Sequence, residues 1–417
     1  MNLKEVLIMI SKPKGTYDVL PGESSSWGKL EETIRKICKL YNYKEIRTPI
    51  FESFQVFHRD LNDTSDMVTK ETYDFQDRGE RMITLRPEGT AGVARAYIEN
   101  KLYVDYPMSK LFYMGPMFRY ERPQKGRTRQ FNQFGVEALG SNSPLIDAEV
   151  IALGASLIRA LGLKDVTVKI NSLGDEESRN KYREVLVEYF TKYKDDLCGD
   201  CLSRLEKNPL RILDCKVDRN KDFFKNAPKI KDYLNEDSKM HFAKVLKALD
   251  DMQIKYVIDD NLVRGLDYYS HTVFELEVNV EEFGAQNVIG AGGRYDGLIS
   301  QLDGPKTPGV GMAFGLERLL LAASLAGKPL ARPEAIHVYF IALGERAQEE
   351  CLKQANICRI GGLSCDMDYL GRGIKAQFKD ADRNYARFTC ILGDNELNEF
   401  KINIKDCTLK TKQCNKR

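Results

Sequence analysis

The clearest periodic signal in the chain is a pair of alternating stretches joined by a polar loop. Large apolar and polar residues alternate around Phe118-Arg119-Tyr120-Glu121 and again through Phe131-Asn132-Gln133-Phe134-Gly135-Val136-Glu137, the period of half-buried strands. Between them Pro123 and Gly126 break the backbone, and Arg122, Lys125, Arg127 and Arg129 crowd the turn. The pattern predicts a β-hairpin with a cationic tip. Helical spacing takes over at 27–41, where Trp27, Leu30, Ile34, Ile37, Cys38 and Tyr41 share one stripe, and at 91–99 and 147–161. Short strands are expected at 45–52, 73–76 and 82–85, and Pro49 confines the first of these to a sheet edge or an interface.

From about 174 to 250 the chain becomes rich in Lys, Asp and Glu at helical spacing, which predicts an inserted helical subdomain. After the breaker Gly327-Lys328-Pro329 a new unit begins at 332. Its pattern reads strand 337–342, helix 347–360, strand 364–369, helix 374–385, then strands at 387–392 and 401–405: a compact α/β domain of modest size.

Composition narrows the function classes. At 417 residues, length alone suggests two or three domains. Lys+Arg 63 against Asp+Glu 61 leaves almost no net charge, so nucleic-acid binding has to come from local patches. No apolar run approaches membrane-spanning length, and the run 6–10 is too short and poorly flanked for a signal peptide. Ten mostly scattered cysteines fit a reduced, cytoplasmic protein. Cys198-Gly199-Asp200-Cys201 with Cys215 offers three thiols where a structural zinc needs four ligands, and His241 is the only histidine nearby in sequence. No metal site is therefore expected.

Three further stretches carry candidate chemistry. In Arg86-Pro87-Glu88-Gly89-Thr90 a carboxylate stands on a rigid corner just ahead of a helix, where it either grips an ammonium group or satisfies the helix dipole. Arg264-Gly265-Leu266-Asp267-Tyr268-Tyr269 places adjacent tyrosines on a turn, suited to lining a polar pocket for an aromatic ligand. His271, just beyond, reads as structural. The glycine-rich run at 289–297 lets backbone approach a ligand but lacks the ending of a Walker loop. The arginines of the hairpin suit a phosphate, which a planar guanidinium binds through two oxygens; a solvated basic loop is the other reading.

Taken together, these stretches resemble the class II aminoacyl-tRNA synthetases. The hairpin from Phe118 to Glu137 is similar to their motif 2, the stretch Gly311 to Arg318 to motif 3, and 45–52 with the preceding helix to motif 1. Within that class, 84–90, 262–269 and 291–297 resemble segments particular to the histidyl-tRNA synthetase family. The resemblance implies an α+β fold: an antiparallel catalytic sheet flanked by helices over 1–328, the helical insertion at 174–250, an α/β anticodon-binding domain at 332–417, and a homodimer. The chain stops where the family usually adds a closing helix, and residues 1–11 precede the usual start.

The resemblance also implies activation of L-histidine with ATP and Mg2+, then transfer to tRNA(His). Arg119 and Arg264 would be the catalytic cations at the α-phosphate. Arg318 would hold the γ-phosphate, and Glu121 would help Arg119 hold ATP. Glu88, Gly89, Thr90, Gln133, Glu137, Tyr268, Tyr269 and Tyr295 would form the histidine pocket. In it Glu88 and Thr90 would take the ammonium, Glu137 and Tyr269 would read the ring nitrogens, and Tyr268 and Tyr295 would wall the site. Arg122, Gln124 and Arg127 would approach the tRNA acceptor stem. The alternative is the non-catalytic regulatory relative of histidine biosynthesis, which shares the core and lacks the anticodon-binding domain.

Overall fold

The structure, a computed structural model, describes residues 10–59, 66–122, 127–163, 166–263, 268–279, 287–328, 330–331 and 334–407. Among the described residues two compact units emerge, one gathering 10–19 and 26–330 and the other 20–25 and 331–407. Among the described residues of the first, eight strands form one sheet in the order Lys44–Glu45, Ser109–Phe118, Gln130–Leu139, Gly309–Gly315, Val288–Arg294, Ser270–Val278, Val166–Ser172, Tyr256–Ile258. The six central strands are antiparallel, while the two short edge strands run parallel to their neighbours, so the sheet is mixed at its margins.

Period-two patterning decides which face of this sheet meets which layer. Phe112, Phe134, Val136, Phe274, Leu276, Val310, Met312 and Phe314 join one core with the helices Pro144–Ala160 and Leu316–Leu325 and the buried stripe Leu30, Ile34 and Cys38 of Pro21–Leu40. Helix Pro144–Ala160 is apolar nearly all round because it is covered nearly all round. Each fully buried Leu, Ile or Val in it contributes about 1.5–3 kcal/mol, and Ser143 caps its start by accepting from the Leu145 amide at 3.3 Å. A second cluster joins Tyr268, Tyr269 and Tyr295 to the helical segment 176–251, through Tyr182, Leu186, Phe190, Cys201, Leu205 and Cys215. Helices and 3-10 turns occupy that segment, as its helical spacing predicts.

The stretch at 45–52 departs from expectation. It is not one strand but two short ones, Lys44–Glu45 and Phe51–Ser53, in different sheets. The physical reason is Pro49, which cannot donate to a ladder, and the carbonyls of Thr48 and Pro49 turn instead to the Arg86 guanidinium at 3.1 and 3.4 Å.

In the second unit the strands Cys365–Met367, Val338–Ala342 and Phe388–Leu392 are parallel, with Asn403–Asp406 antiparallel at the edge. Helices Glu345–Ile360 and Ile374–Arg383 connect them. A short helix, Asp394–Asn398, was not legible in the sequence; it is stabilised at its start by Glu396, which accepts from the Gly393 amide at 3.0 Å.

Candidate active site

The hairpin arm Gln130–Leu139 carries Glu137 into the interior, where it is 1% exposed. The Thr90 hydroxyl donates to its Oε1 at 2.7 Å, and the Tyr295 hydroxyl donates to its Oε2. These are neutral donors; no cation is paired with it among the described residues. Burial pushes the Glu137 carboxyl up from its ordinary 4.5 to about 8, against the lowering hydrogen bonds from Tyr295 and Thr90, and the Glu88 carboxylate adds to the rise. Room for the side chain comes from Gly311, directly opposite in the register, because a Cβ there would strike the Glu137 carboxylate.

The rest of the pocket is built by the same exchange of glycine for ring. Tyr113, across the hairpin from Gly135, lies so close to Gly89 and Gly135 that a Cβ at either would enter its ring. Tyr295 covers Gly309, and Tyr269 covers Gly293. Tyr268 stands 4.9 Å from Tyr269 and 5.6 Å from Tyr295 between ring centroids, the latter edge-on. Among the described residues the buried Gln133 Oε1 has no hydrogen-bond partner here. A native interior rarely leaves such groups orphaned unless a ligand meets them. Tyr113 was not singled out in the sequence, although its place opposite the small Gly135 is the signal that could have found it.

Glu88 does more than was expected of it. Its carboxylate accepts from the Thr90 and Ala91 amides at 2.5 and 2.9 Å, and so closes the start of helix Thr90–Glu99. The structural reading of this acid is realised, and the carboxylate stays 5% exposed beside the pocket. Tyr295, expected to wall the pocket, also bonds to Glu137.

At the outer end of the hairpin Arg119 donates to the Pro87 carbonyl at 2.9 Å and lies over the Phe131 ring, 5.1 Å from its centroid. Glu121 is 3.9 Å from Arg119 and 3.3 Å from Arg127. Burial, and after it the charge of Arg127, lower the guanidinium of Arg318, which is in the first turn of helix Leu316–Leu325. Arg119 and Arg127 thus flank the Glu121 carboxylate, and Arg318 lies within electrostatic reach of Arg127, a cationic excess suited to polyphosphate. Arg129 is used structurally, stacked 3.9 Å from the Tyr120 ring centroid, and Arg122 is exposed. Arg264 and Gln124 lie outside the described residues.

Other candidates separate cleanly from this pocket. Arg294 binds Asp147 through Nη2 at 2.5 Å and Nε at 3.1 Å, and His241 Nε2 is 2.7 Å from the same carboxylate. His241, considered as a partner for the cysteines, is therefore committed elsewhere. His271 stacks on His241 with ring centroids 5.0 Å apart. The fourth group beside Cys198, Cys201 and Cys215 is Asp218, which the sequence reading overlooked; the ligand atoms of all four lie within 4.8 Å of one another.

Comparison with known proteins gives this geometry its family. The family model for histidyl-tRNA synthetase matches residues 15–174 and 201–319, and that for an anticodon-binding domain matches 337–416. Histidine--tRNA ligase 2 of Bacillus cereus is 52% identical over 398 residues, 95% of this chain and 94% of that protein. Histidine--tRNA ligase of Acholeplasma laidlawii is 53% identical over 395 residues, covering 95% and 94%. The crystal structure of apo S. aureus histidyl-tRNA synthetase superposes with a TM-score of 0.82 at 44% identity, covering 96% of both chains. A Bacillus halodurans protein described as an ATP phosphoribosyltransferase regulatory subunit/histidyl-tRNA synthetase shares the fold at 22% identity and a TM-score of 0.65, over 89% of this chain and 96% of that one. With identity above one half sustained across both units, and a pocket whose buried acid sits among tyrosines, the chain belongs to the histidyl-tRNA synthetase family.

Proposed function

We infer that this chain joins L-histidine to tRNA(His) at the expense of ATP, and that the pocket around Glu137 selects the amino acid. A carboxylate oxygen of histidine attacks the α-phosphorus of ATP; the bond to the β-phosphate bridging oxygen breaks, giving histidyl-adenylate and pyrophosphate. A terminal ribose hydroxyl of the tRNA then attacks the activated carbonyl and AMP leaves. ATP enters as its magnesium complex, the ion travelling with the substrate.

Positioning and charge neutralisation are what such chemistry asks of a protein. Arg119, fixed on the Pro87 carbonyl, meets the α-phosphate, and Arg318 the γ-phosphate; Glu121 orients Arg119 and Arg127. Arg264 completes the set at the α-phosphate by family resemblance. On the amino-acid side, Glu88 and Thr90 take the ammonium with Gln133, whose Oε1 has no partner among the described residues. Tyr268 and Tyr295 wall the pocket, and Tyr113 covers Gly89. Arg122, Gln124 and Arg127 face the acceptor stem, and 332–417 carry anticodon recognition. The working form is a homodimer in the cytoplasm, where its tRNA substrate is. The exposed Ile50 and Phe51, beside the stretch that resembles motif 1, support the dimer reading.

The observation that carries the substrate assignment is Glu137: buried and, among the described residues, without a cation and hydrogen-bonded by neutral hydroxyls. An imidazole N–H supplies what it lacks. Pyrophosphate exchange into ATP, run with each standard amino acid, tests the assignment: histidine alone should support exchange, and Arg119→Ala should slow it by about two to three orders of magnitude. Absence of exchange with histidine would instead favour the non-catalytic regulatory reading.

A further inference from the structure

The helical segment holds a second buried cluster that the activation chemistry does not use. Cys198 precedes helix Gly199–Lys207, and Cys201 is in its first turn. Cys215 follows the 3-10 turn Pro209–Asp214, and Asp218 opens the next turn, Asp218–Asn220. In sequence the four form two pairs of identical spacing, Cys198-Gly199-Asp200-Cys201 and Cys215-Lys216-Val217-Asp218. Two such knuckles, each presenting ligands three residues apart, are the usual framework of a closed zinc site.

The geometry is that of a coordination shell rather than a disulfide. Cys198 Sγ and Cys215 Sγ are 3.7 Å apart. A disulfide would bring them to about 2.05 Å, whereas two thiolates at about 2.3 Å from one tetrahedral ion stand about 3.8 Å apart. All four ligand atoms lie within 4.8 Å of one another, which leaves about an ångström of adjustment for the widest pair. The backbone is already wired around them. The Cys198 amide donates to Asp218 Oδ2 at 3.0 Å, and the Asp218 amide donates to Cys215 Sγ at 3.3 Å. Such outer hydrogen bonds orient ligands before a metal arrives. Cys201, Cys215 and Asp218 are buried, at 0%, 4% and 0% exposure, so water has little access. Lys221 Nζ, 2.8 Å from Asp218 Oδ1, offsets part of the negative charge.

We propose that Cys198, Cys201, Cys215 and Asp218 form a closed, four-ligand structural zinc site that pins the two turns of the helical segment together. Zinc is favoured over calcium or magnesium because thiolates dominate the donor set, and a filled tetrahedron leaves no position for catalysis. The site lies in the same apolar cluster as Tyr268, Tyr269 and Tyr295, and Arg179 of the neighbouring helix donates to the Tyr269 carbonyl at 2.7 Å. Its role is therefore to stiffen the layer behind the pocket.

The test uses the full-length chain, purified under reducing conditions without chelator, loaded with zinc and then desalted. Elemental analysis should find about one zinc per chain. Cobalt loading should give the intense near-ultraviolet thiolate charge-transfer and visible bands of a tetrahedral site. Asp218→Asn should weaken zinc by at least about tenfold, Asp218→Cys should hold it, and the pair Cys198→Ser with Cys201→Ser should abolish it. Failure of the loaded wild-type chain to retain zinc would overturn the proposal. So would a weak octahedral cobalt spectrum, or zinc content unchanged by the double serine substitution. Should the serine variant not fold, the wild-type cobalt spectrum and the Asn–Cys contrast at 218 decide.

Discussion

Two buried carboxylates in one catalytic unit meet opposite fates. Asp147, 0% exposed, faces Arg294 through two nitrogens, His241, and the Thr272 hydroxyl at 2.8 Å. Burial by itself would raise its carboxyl, but the His241 hydrogen bond and the Arg294 charge outweigh that and hold it below the ordinary value. Glu137, equally buried, meets neutral hydroxyls and no cation among the described residues, and its carboxyl rises to about 8. Burial of charge is thus not in itself a mark of function. The compensated acid is architecture, and the acid left short of a partner is where a ligand belongs.

The largest effect should come from breaking the compensated one. Arg294→Met strands Asp147 without its counter-charge and should cost about 3–5 kcal/mol of unfolding free energy, read from the urea midpoint. The folded fraction should still bind histidine normally. Glu137→Gln should change the unfolding free energy by less than about 1 kcal/mol. Comparable destabilisation by the two substitutions would erase the contrast.

Next in size is the loss of recognition. Glu137→Ala should weaken histidine binding by about 1–3 kcal/mol, or roughly 5- to 150-fold, while leaving ATP binding near wild type. Separate titrations of the two substrates measure this. Parallel loss of both would mean that Glu137 only supports the hairpin.

The pH dependences should run in opposite directions. Between 4.5 and about 8 the folded chain keeps a proton on Glu137 that the unfolded chain has released, so this group's contribution falls as pH rises through that window. Asp147, with its lowered folded value, contributes above the unfolded carboxylate range and loses that contribution as pH falls through the folded value. For binding, a ligand N–H that draws out the ionised Glu137 should release about one proton near neutral pH. Calorimetry in buffers of different ionisation enthalpy counts that proton, and Glu137→Gln should remove it.

The smallest effect should follow Tyr295→Phe, which deletes one hydroxyl donor to Glu137. Histidine affinity should fall by about 1 kcal/mol, roughly fivefold, with unfolding barely altered. An unchanged affinity would return Tyr295 to the wall of the pocket.

Much of the scaffold was legible in the residue pattern because period and burial are local statements. The alternation at 131–137 placed the second hairpin arm, and the stripe Leu30, Ile34 and Cys38 faces the core as its spacing requires; the first arm lies upstream of its expected place, at Ser109–Phe118, so Arg119 to Glu121 follow the strand rather than form it. The stretch at 45–52 failed because its apolar residues say nothing about which sheet each half joins, and Arg86, far along the chain, takes up the carbonyls around Pro49. The acids were harder still. Glu88 and Glu137 stood out by position, yet Glu88 closes the start of the helix just after it while Glu137 meets hydroxyls brought from other elements.

By itself, then, the sequence determined the strand and helix periods, the order of the motifs, the glycines that leave space for rings, and the family those motifs spell. Only the tertiary structure decided which charges are compensated. It brought Arg294 and His241 to Asp147 across 147 and 94 positions of chain, set Tyr295 on Glu137, and placed Asp218 among three thiols. The physical reason is that apolar periodicity is summed over neighbours along the chain. The energy of a buried charge is instead set by the few groups within hydrogen-bonding reach, and folding, not sequence distance, chooses those.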